Sequence, residues 1–269
     1  MDSYYHVKAF GLTLREILTN TFGLYSDRFL FYTLVLVLPG IALNAALLIV
    51  REFGGWWPRG WEVLWIVGLK HFVWSLSIAI VSVASIKQLR SARISSSAAV
   101  RAGSSCAPWV FMATALAQLG ITIGFLLLVV PGVMALCSWF LAAPIAAMER
   151  VGPLEATESS AAMVRGYQLQ ILGVITLLFL ATVLSETMVQ YGYWLVTSWY
   201  DGRFDARFPF TLWEAYLFLG HQPGVALISD ILTVPFACIS ALAPAYIYAV
   251  LTSAQGPYAN RDYVAHYRR

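Results

Sequence analysis

The sequence predicts an all-α, polytopic integral membrane protein of about six transmembrane helices plus amphipathic interfacial helices, built as a single membrane domain. Three observations predict it. Hydrophobic residues make up 59% of the 269-residue chain and charged residues only 12%, against roughly 25% charged in soluble domains. The apolar residues fall into runs that match the about 20 residues needed to cross a hydrocarbon core of roughly 30 Å. The basic residues gather on one side of those runs.

The same figures exclude several function classes. A net charge of +3 is too small to point to nucleic acid. Cys106, Cys137 and Cys238 show no CxxC or Cys/His spacing, so neither a metal site nor a disulfide framework is indicated. Residues 1–28 are polar and lack the short apolar core and small-residue cleavage site of a signal peptide, which predicts an uncleaved first span.

Taken in order, Thr13-Leu14-Arg15-Glu16 reads as a capping box. Behind it Leu14, Ile17, Leu18, Phe22 and Tyr25 recur at helical spacing, with Arg15, Glu16, Asn20 and Asp27 on the other face. That pattern predicts an amphipathic helix, lying in the membrane interface or packed on the protein's own cytoplasmic side. Residues 29–252 form the six-helix region and 253–269 a cytoplasmic tail.

The first span is Phe29 to Val50, with a kink expected at Pro39-Gly40. An aromatic turn with Trp56 and Trp57 leads to the second span, Trp61 to Ile86. Lys87 to Pro108 reads as a basic, Ser-rich connection that includes a weak helix from Ser97 to Cys106. Trp109 to Val130 and Val133 to Met148 form a central hairpin about the Pro131-Gly132 break, its second limb short for a straight crossing. Pro153 to Tyr167 is a surface helix, with Pro153 suited to its first turn. Leu169 to Gln190 is the fifth span and Gly224 to Leu251 the sixth, interrupted by Pro235 and Pro244. The loop between them is dense in Tyr, Trp and Phe, and Thr211-Leu212-Trp213-Glu214 signals an interfacial helix within it.

Orientation follows from Lys and Arg. With the N-terminus inside, the inner side holds Lys8, Arg15, Arg28, Lys87, Arg90, Arg93, Arg101, Arg150, Arg165, Arg261, Arg268 and Arg269, and the outer side only Arg51, Arg59, Arg203 and Arg207. Both termini are therefore placed in the cytoplasm. A weak repeat, surface helix then hairpin, starts near Thr13, Ser95 and Pro153. Repeats often frame transport sites, but three units of like orientation are equally what hairpin duplication leaves behind.

In the stretch from the hairpin to its surface helix, Pro131-Gly132, Pro144, Glu149, Gly152-Pro153, Ala156, Ser160, Met163 and Gly166 follow a recognisable order. It resembles the pattern of the YciC-like group of bacterial integral membrane proteins, related to the membrane domain attached to some glycerophosphodiester phosphodiesterases. The resemblance implies six or so helices, a bacterial cytoplasmic (inner) membrane and no established activity. The catalytic barrel of those phosphodiesterases, with its acidic metal ligands and His-Arg pair, has no counterpart here. His6, His71, His221 and His266 are scattered and no His-Arg step occurs. No catalysis and no cofactor carry over.

The motif also has a packing explanation. Ala156, Ser160, Met163 and Tyr167 share one helix face, small residues allow close approach, and Gly166 is placed to end the helix. Glu149 is the exception, an acid at the inner end of a span that invites pairing with Arg150, Arg165 or an Arg of the basic connection.

Ionisable groups within spans cost about 2.5–3.5 kcal/mol on insertion scales and invite a reason. Lys70, Asp230 and Glu186 are the candidates. Counted from Trp61 and Gly224, Lys70 and Asp230 lie at depths that agree within roughly one helical turn. This predicts a Lys70–Asp230 pair, with Glu186 as the competing partner; the alternative is that Lys70 and His71 snorkel to water from the start of a shorter span. The aromatic region 191–218 is an interfacial belt or a surface that docks on a larger membrane complex. The function predicted is a non-enzymatic scaffold or accessory subunit packing against partners or membrane lipids, with a small-molecule or ion transporter as the alternative. No nucleophile–base or metal-ligand constellation supports an enzyme.

Overall fold

The computed structural model describes residues 13–54, 61–90, 94–200 and 223–253. Their helices are α1 Leu14–Asp27, α2 Phe29–Gly54, α3 Trp61–Leu89, α4 Ser96–Leu127, α5 Val129–Ser138, α6 Ala142–Glu149, α7 Pro153–Val164, α8 Gln168–Tyr200 and α9 Pro223–Leu251. Among the described residues five stretches are long and apolar enough to cross a membrane: Trp65–Leu89, Ser96–Leu127, Val129–Glu149, Gln168–Ser185 and Val234–Leu251. Helix α1 and Phe29–Leu43 reach that length and hydropathy only when taken together, and they meet at an 88° bend. The chain is an all-α polytopic membrane protein.

Helix α1 starts where its capping box says it should. The Glu16 N–H donates to Thr13 Oγ1 at 3.3 Å, and the Thr13 N–H donates to Glu16 Oε2 at 3.4 Å. This helix is packed on the rest of the protein. Ile17, Thr21, Leu24 and Tyr25 are buried, and α1 packs mainly on α9 and α8. Asn20 Nδ2 donates to Tyr246 Oη of α9 at 2.8 Å, which fixes the docking directionally. The turn into α2 is spanned by Tyr25 Oη and Thr33 Oγ1, 3.1 Å apart.

The bundle end carrying α1 and α7 is called proximal here, the opposite end distal. Helix α2 runs on through Pro39 to Gly54. Helix α3 returns and outlasts its predicted end at Ile86 by one turn. Beyond it the structure corrects the sequence reading. The predicted connection 87–108 is short, because Ser95 caps a helix that continues from Ser96 through Pro108 to Leu127. A proline inside a helix removes one donor and crowds the carbonyl four residues earlier. The carbonyl so affected is that of Ser104; in the same turn Ser104 Oγ donates to Arg101 O, Ser105 Oγ to Ala102 O at 2.8 Å, and Cys106 Sγ to Ala102 O. Cys106 is consequently a buried helical residue, not part of a basic loop.

The central hairpin turns at Leu128, not at Pro131-Gly132. Leu128 is the single extended residue between α4 and α5. Pro131 falls in the first turn of α5, where its missing N–H is one of the donors a helix leaves open anyway. The second limb therefore starts at Val129 and spans 21 residues, longer than predicted. Its limbs meet closely: a Cβ on Gly124 would stand 2.9 Å from the Gly132 Cα.

Helix α7 ends at Val164, and Gly166 at φ 95° turns the chain into α8. Helix α8 runs to Tyr200, past the predicted end of the fifth span. The predicted interfacial helix from Thr211 lies outside the described residues. Helix α9 is the centre of the fold. It contributes Tyr246, Ile247, Tyr248 and Leu251 to one buried cluster with α3, α4, α6, α7 and α8. It also contributes Cys238, Ala241 and Leu242 to a second cluster with α1, α2 and α3.

Candidate functional site

The polar side chains gather in two places, one at the proximal end and one between α3 and α4. At the proximal end α6 stops because Arg150 adopts a left-handed conformation, φ 54°, with its N–H closing on Ala146 O at 3.1 Å. That geometry is disfavoured for a residue with a Cβ. It swings the chain out of the bundle towards Gly152-Pro153, where α7 begins.

Glu149, the last residue of α6, accepts the Tyr248 phenol at 2.8 Å. The Arg90 guanidinium lies beside the same phenol and donates to Thr252 Oγ1 at 2.9 Å. Arg150 turns the other way and donates to Ser105 Oγ of α4 at 3.2 Å. The sequence pointed Glu149 at an arginine. The hydrogen bond it receives comes instead from a tyrosine of α9, and its neighbour Arg150 is engaged elsewhere. Tyr248 was missed because a tyrosine near the end of a span reads first as interfacial.

Ser160 explains the motif that runs through α7. Its side chain is fully buried. It donates to Ser138 O at 2.7 Å and accepts the Leu141 N–H at 3.0 Å. Those two backbone groups border the break between α5 and α6, where the helical ladder cannot satisfy them. Ala156 and Met163 are buried on the same face, as the packing stripe required. Tyr167 lies beyond the end of α7 and packs partly against the core. What the stripe did not reveal is that one of its small residues completes a broken membrane helix.

The second place is within the bundle. Thr114 Oγ1 of α4 stands 3.2 Å from His71 Nε2 and 3.0 Å from Ser75 Oγ, both on α3. Ser75 Oγ donates back to His71 O at 2.8 Å, and the His71 ring lies 5.3 Å from that of Phe111. Lys70, the neighbouring residue, is exposed. The Asp230 and Glu186 side chains lie outside the described residues, and so do both predicted pairs with Lys70. The sequence singled out the ionisable residues of this region and missed Ser75 and Thr114. The signal available was the spacing of His71 and Ser75, four apart and therefore on one helix face.

Chemically, both places join helix to helix. Among the described residues no group of three or more His, Cys, Asp and Glu side chains converges as metal ligands would. Cys106, Cys137 and Cys238 are free thiols, all buried. His6, His221 and His266 lie outside the described residues. Set against known proteins, the chain matches no family model, no curated protein and no solved structure.

Proposed function

We propose that this chain is a non-enzymatic scaffold or accessory subunit, packing in the bilayer against partner proteins or lipid. The observation that carries the reading is where its polar side chains go. Glu149, Ser160, Asn20 and Arg28 are each bonded to another segment of the chain: to Tyr248, to the α5–α6 break, to Tyr246 and to Ile94 O. Hydrogen bonds and close contacts between small residues hold membrane helices together, because lipid tails supply little hydrophobic drive between them. The bias of Lys and Arg supports an orientation with the proximal end and both termini in the cytoplasm. The order of residues from Pro131 to Gly166 supports membership of the YciC-like group, and with it a bacterial inner membrane. The aromatic region 191–218 is the surface we assign to a larger complex; its first residue, Tyr191, is exposed.

One observation favours the transporter reading instead. His71, Ser75 and Thr114 form a polar cluster within a span, with Lys70 beside it. Purification in a gentle detergent from native membrane, followed by mass spectrometry, separates the two. A stoichiometric partner supports the accessory subunit. A chain that emerges alone, together with flux into vesicles that Lys70→Met abolishes, favours transport.

A further inference from the structure

The central hairpin carries no charge along its length. Between Arg101 and Glu149 the sequence holds no Asp, Glu, Lys or Arg. The cations that bound it, Arg101 before the hairpin and Arg150 after it, come to one face of α4. Arg101 and Ser105 are four apart on that helix and share a side of it. Arg150 Nη2 donates to Ser105 Oγ at 3.2 Å. All three residues are exposed.

Two features mark this pair. The first is the lack of a counter-charge. Among the described residues neither guanidinium forms an ion pair with a carboxylate, and Arg101 makes no side-chain bond. Glu149, next to Arg150 in the chain, is taken by Tyr248. Ser105 commits its proton to Ala102 O at 2.8 Å and offers the arginines only a lone pair. A guanidinium has five N–H donors in a fixed fork, and the bond to Ser105 uses one of those on Arg150.

The second feature is the backbone. Among the described residues Arg150 is the one non-glycine with positive φ, 54°. A helix end of that conformation favours glycine, and a Cβ is disfavoured there. Glycine would serve the turn; arginine adds a cation.

The helix below continues the same surface. Helix α4 is 32 residues long, about 48 Å, whereas the hydrocarbon takes about 30 Å. Its uncharged stretch from Trp109 to Leu127 supplies about 28 Å of that. The polar turns from Ser96 to Ser105 are the part left over for the headgroup layer. Below Ser105, Trp109, Met112 and Leu119 are exposed. Down this side the order is guanidinium, indole, aliphatic. A phospholipid runs in the same order, from phosphate through the interface that Trp favours to the acyl chain.

We propose that Arg101 and Arg150 bind the phosphate of an anionic phospholipid in the proximal leaflet, with an acyl chain along Trp109, Met112 and Leu119. A zwitterionic lipid is disfavoured, because its own cation meets two guanidiniums and no carboxylate paired with them. This rests on the reading above only in placing the chain against lipid. Its test counts lipids on the purified chain, so it succeeds or fails whether or not a partner protein is found.

The test is native mass spectrometry of the full chain in detergent, offered dioleoyl phosphatidylglycerol and dioleoyl phosphatidylcholine in equal amounts. The expected result is a preference for phosphatidylglycerol on the order of tenfold. Arg101→Gln with Arg150→Gln should abolish that preference, and Lys at both positions should keep most of it. Arg150→Gly suits the left-handed turn and should lower the preference severalfold by itself, so poor folding of the Gln variant leaves the test intact. Arg15→Gln, on the exposed side of α1, removes an equal charge from the same end and should change nothing. No preference in the wild-type chain, or one that the double Gln variant keeps, would overturn the proposal. An equal loss in Arg15→Gln would also sink it, since the effect would then belong to the field of the whole proximal end. Displacement of the lipid by millimolar inorganic phosphate would make the ligand a free anion and reject the lipid.

Discussion

At its proximal end the bundle is tied by named bonds that cross between helices: Asn20 to Tyr246, Tyr248 to Glu149, Arg150 to Ser105, and Ser160 to the backbone on both sides of the α5–α6 break. At the distal end the α4–α5 turn presents six apolar side chains outward with nothing polar to fix them. The contrast extends to whole helices. Of the span Val234–Leu251 in α9, 61% is buried, against 17% of Gln168–Ser185 in α8. The lesson concerns specificity. Apolar side chains hold both ends in the membrane, but they do not say which helix to meet or at what height. Directional bonds and backbone proximity do that, since lipid satisfies a leucine as well as another helix does.

That comparison can be broken by substitution, in order of expected effect. Gly103 lies where α4 crosses α3, and an added Cβ would stand 2.7 Å from the Ile80 backbone nitrogen. Gly103→Ala should lose about 3 kcal/mol, the upper part of the range for overpacking, read as a lower unfolding midpoint in detergent. Gly40→Ala, where an added Cβ meets nothing within 4 Å, should be neutral or slightly stabilising. Equal losses at the two would show that packing of α4 on α3 is looser than described.

Tyr248→Phe removes the donor to Glu149 and should cost about 1.5–3 kcal/mol, the range for a hydrogen bond to a charged group. Combined with Glu149→Ala, which leaves the phenol no side-chain acceptor there, it forms a cycle, and a coupling energy near zero would remove this bond from the account. Ser160→Ala deprives a buried carbonyl and a buried N–H of their partner, for about 1–3 kcal/mol. Faster proteolysis or hydrogen exchange around 138–141 would locate the damage at the break. Asn20→Ala should cost about 1 kcal/mol and loosen α1 from α9, seen as faster exchange confined to residues 14–27. Leu128→Ala at the distal tip should leave the midpoint unchanged to within about 0.5 kcal/mol, as substitutions of exposed side chains usually do.

Much of the fold was legible along the chain. The three helices expected to begin near Thr13, Ser95 and Pro153 do begin there, two behind hydroxyl caps and one behind Gly152-Pro153. Such signals act within one helical turn, so a reader of the chain sees cause and effect together. The candidate site was legible in part. Glu149 and Ser160 stood out, but their partners lie 99 and about 20 residues away and were invisible to any local pattern.

The sequence by itself determined that this is an all-α polytopic membrane protein, because hydropathy sums transfer free energies residue by residue along a helix. It also determined where the surface helices begin, because caps are local. Only the tertiary structure decided that α4 runs unbroken through Pro108, that the hairpin turns at Leu128, that α1 docks on α9, and that Glu149 bonds to a tyrosine. The physical reason is common to all four. Whether a break, a bend or a half-buried acid is tolerated depends on which groups other segments bring to it, and that is a property of the packed bundle.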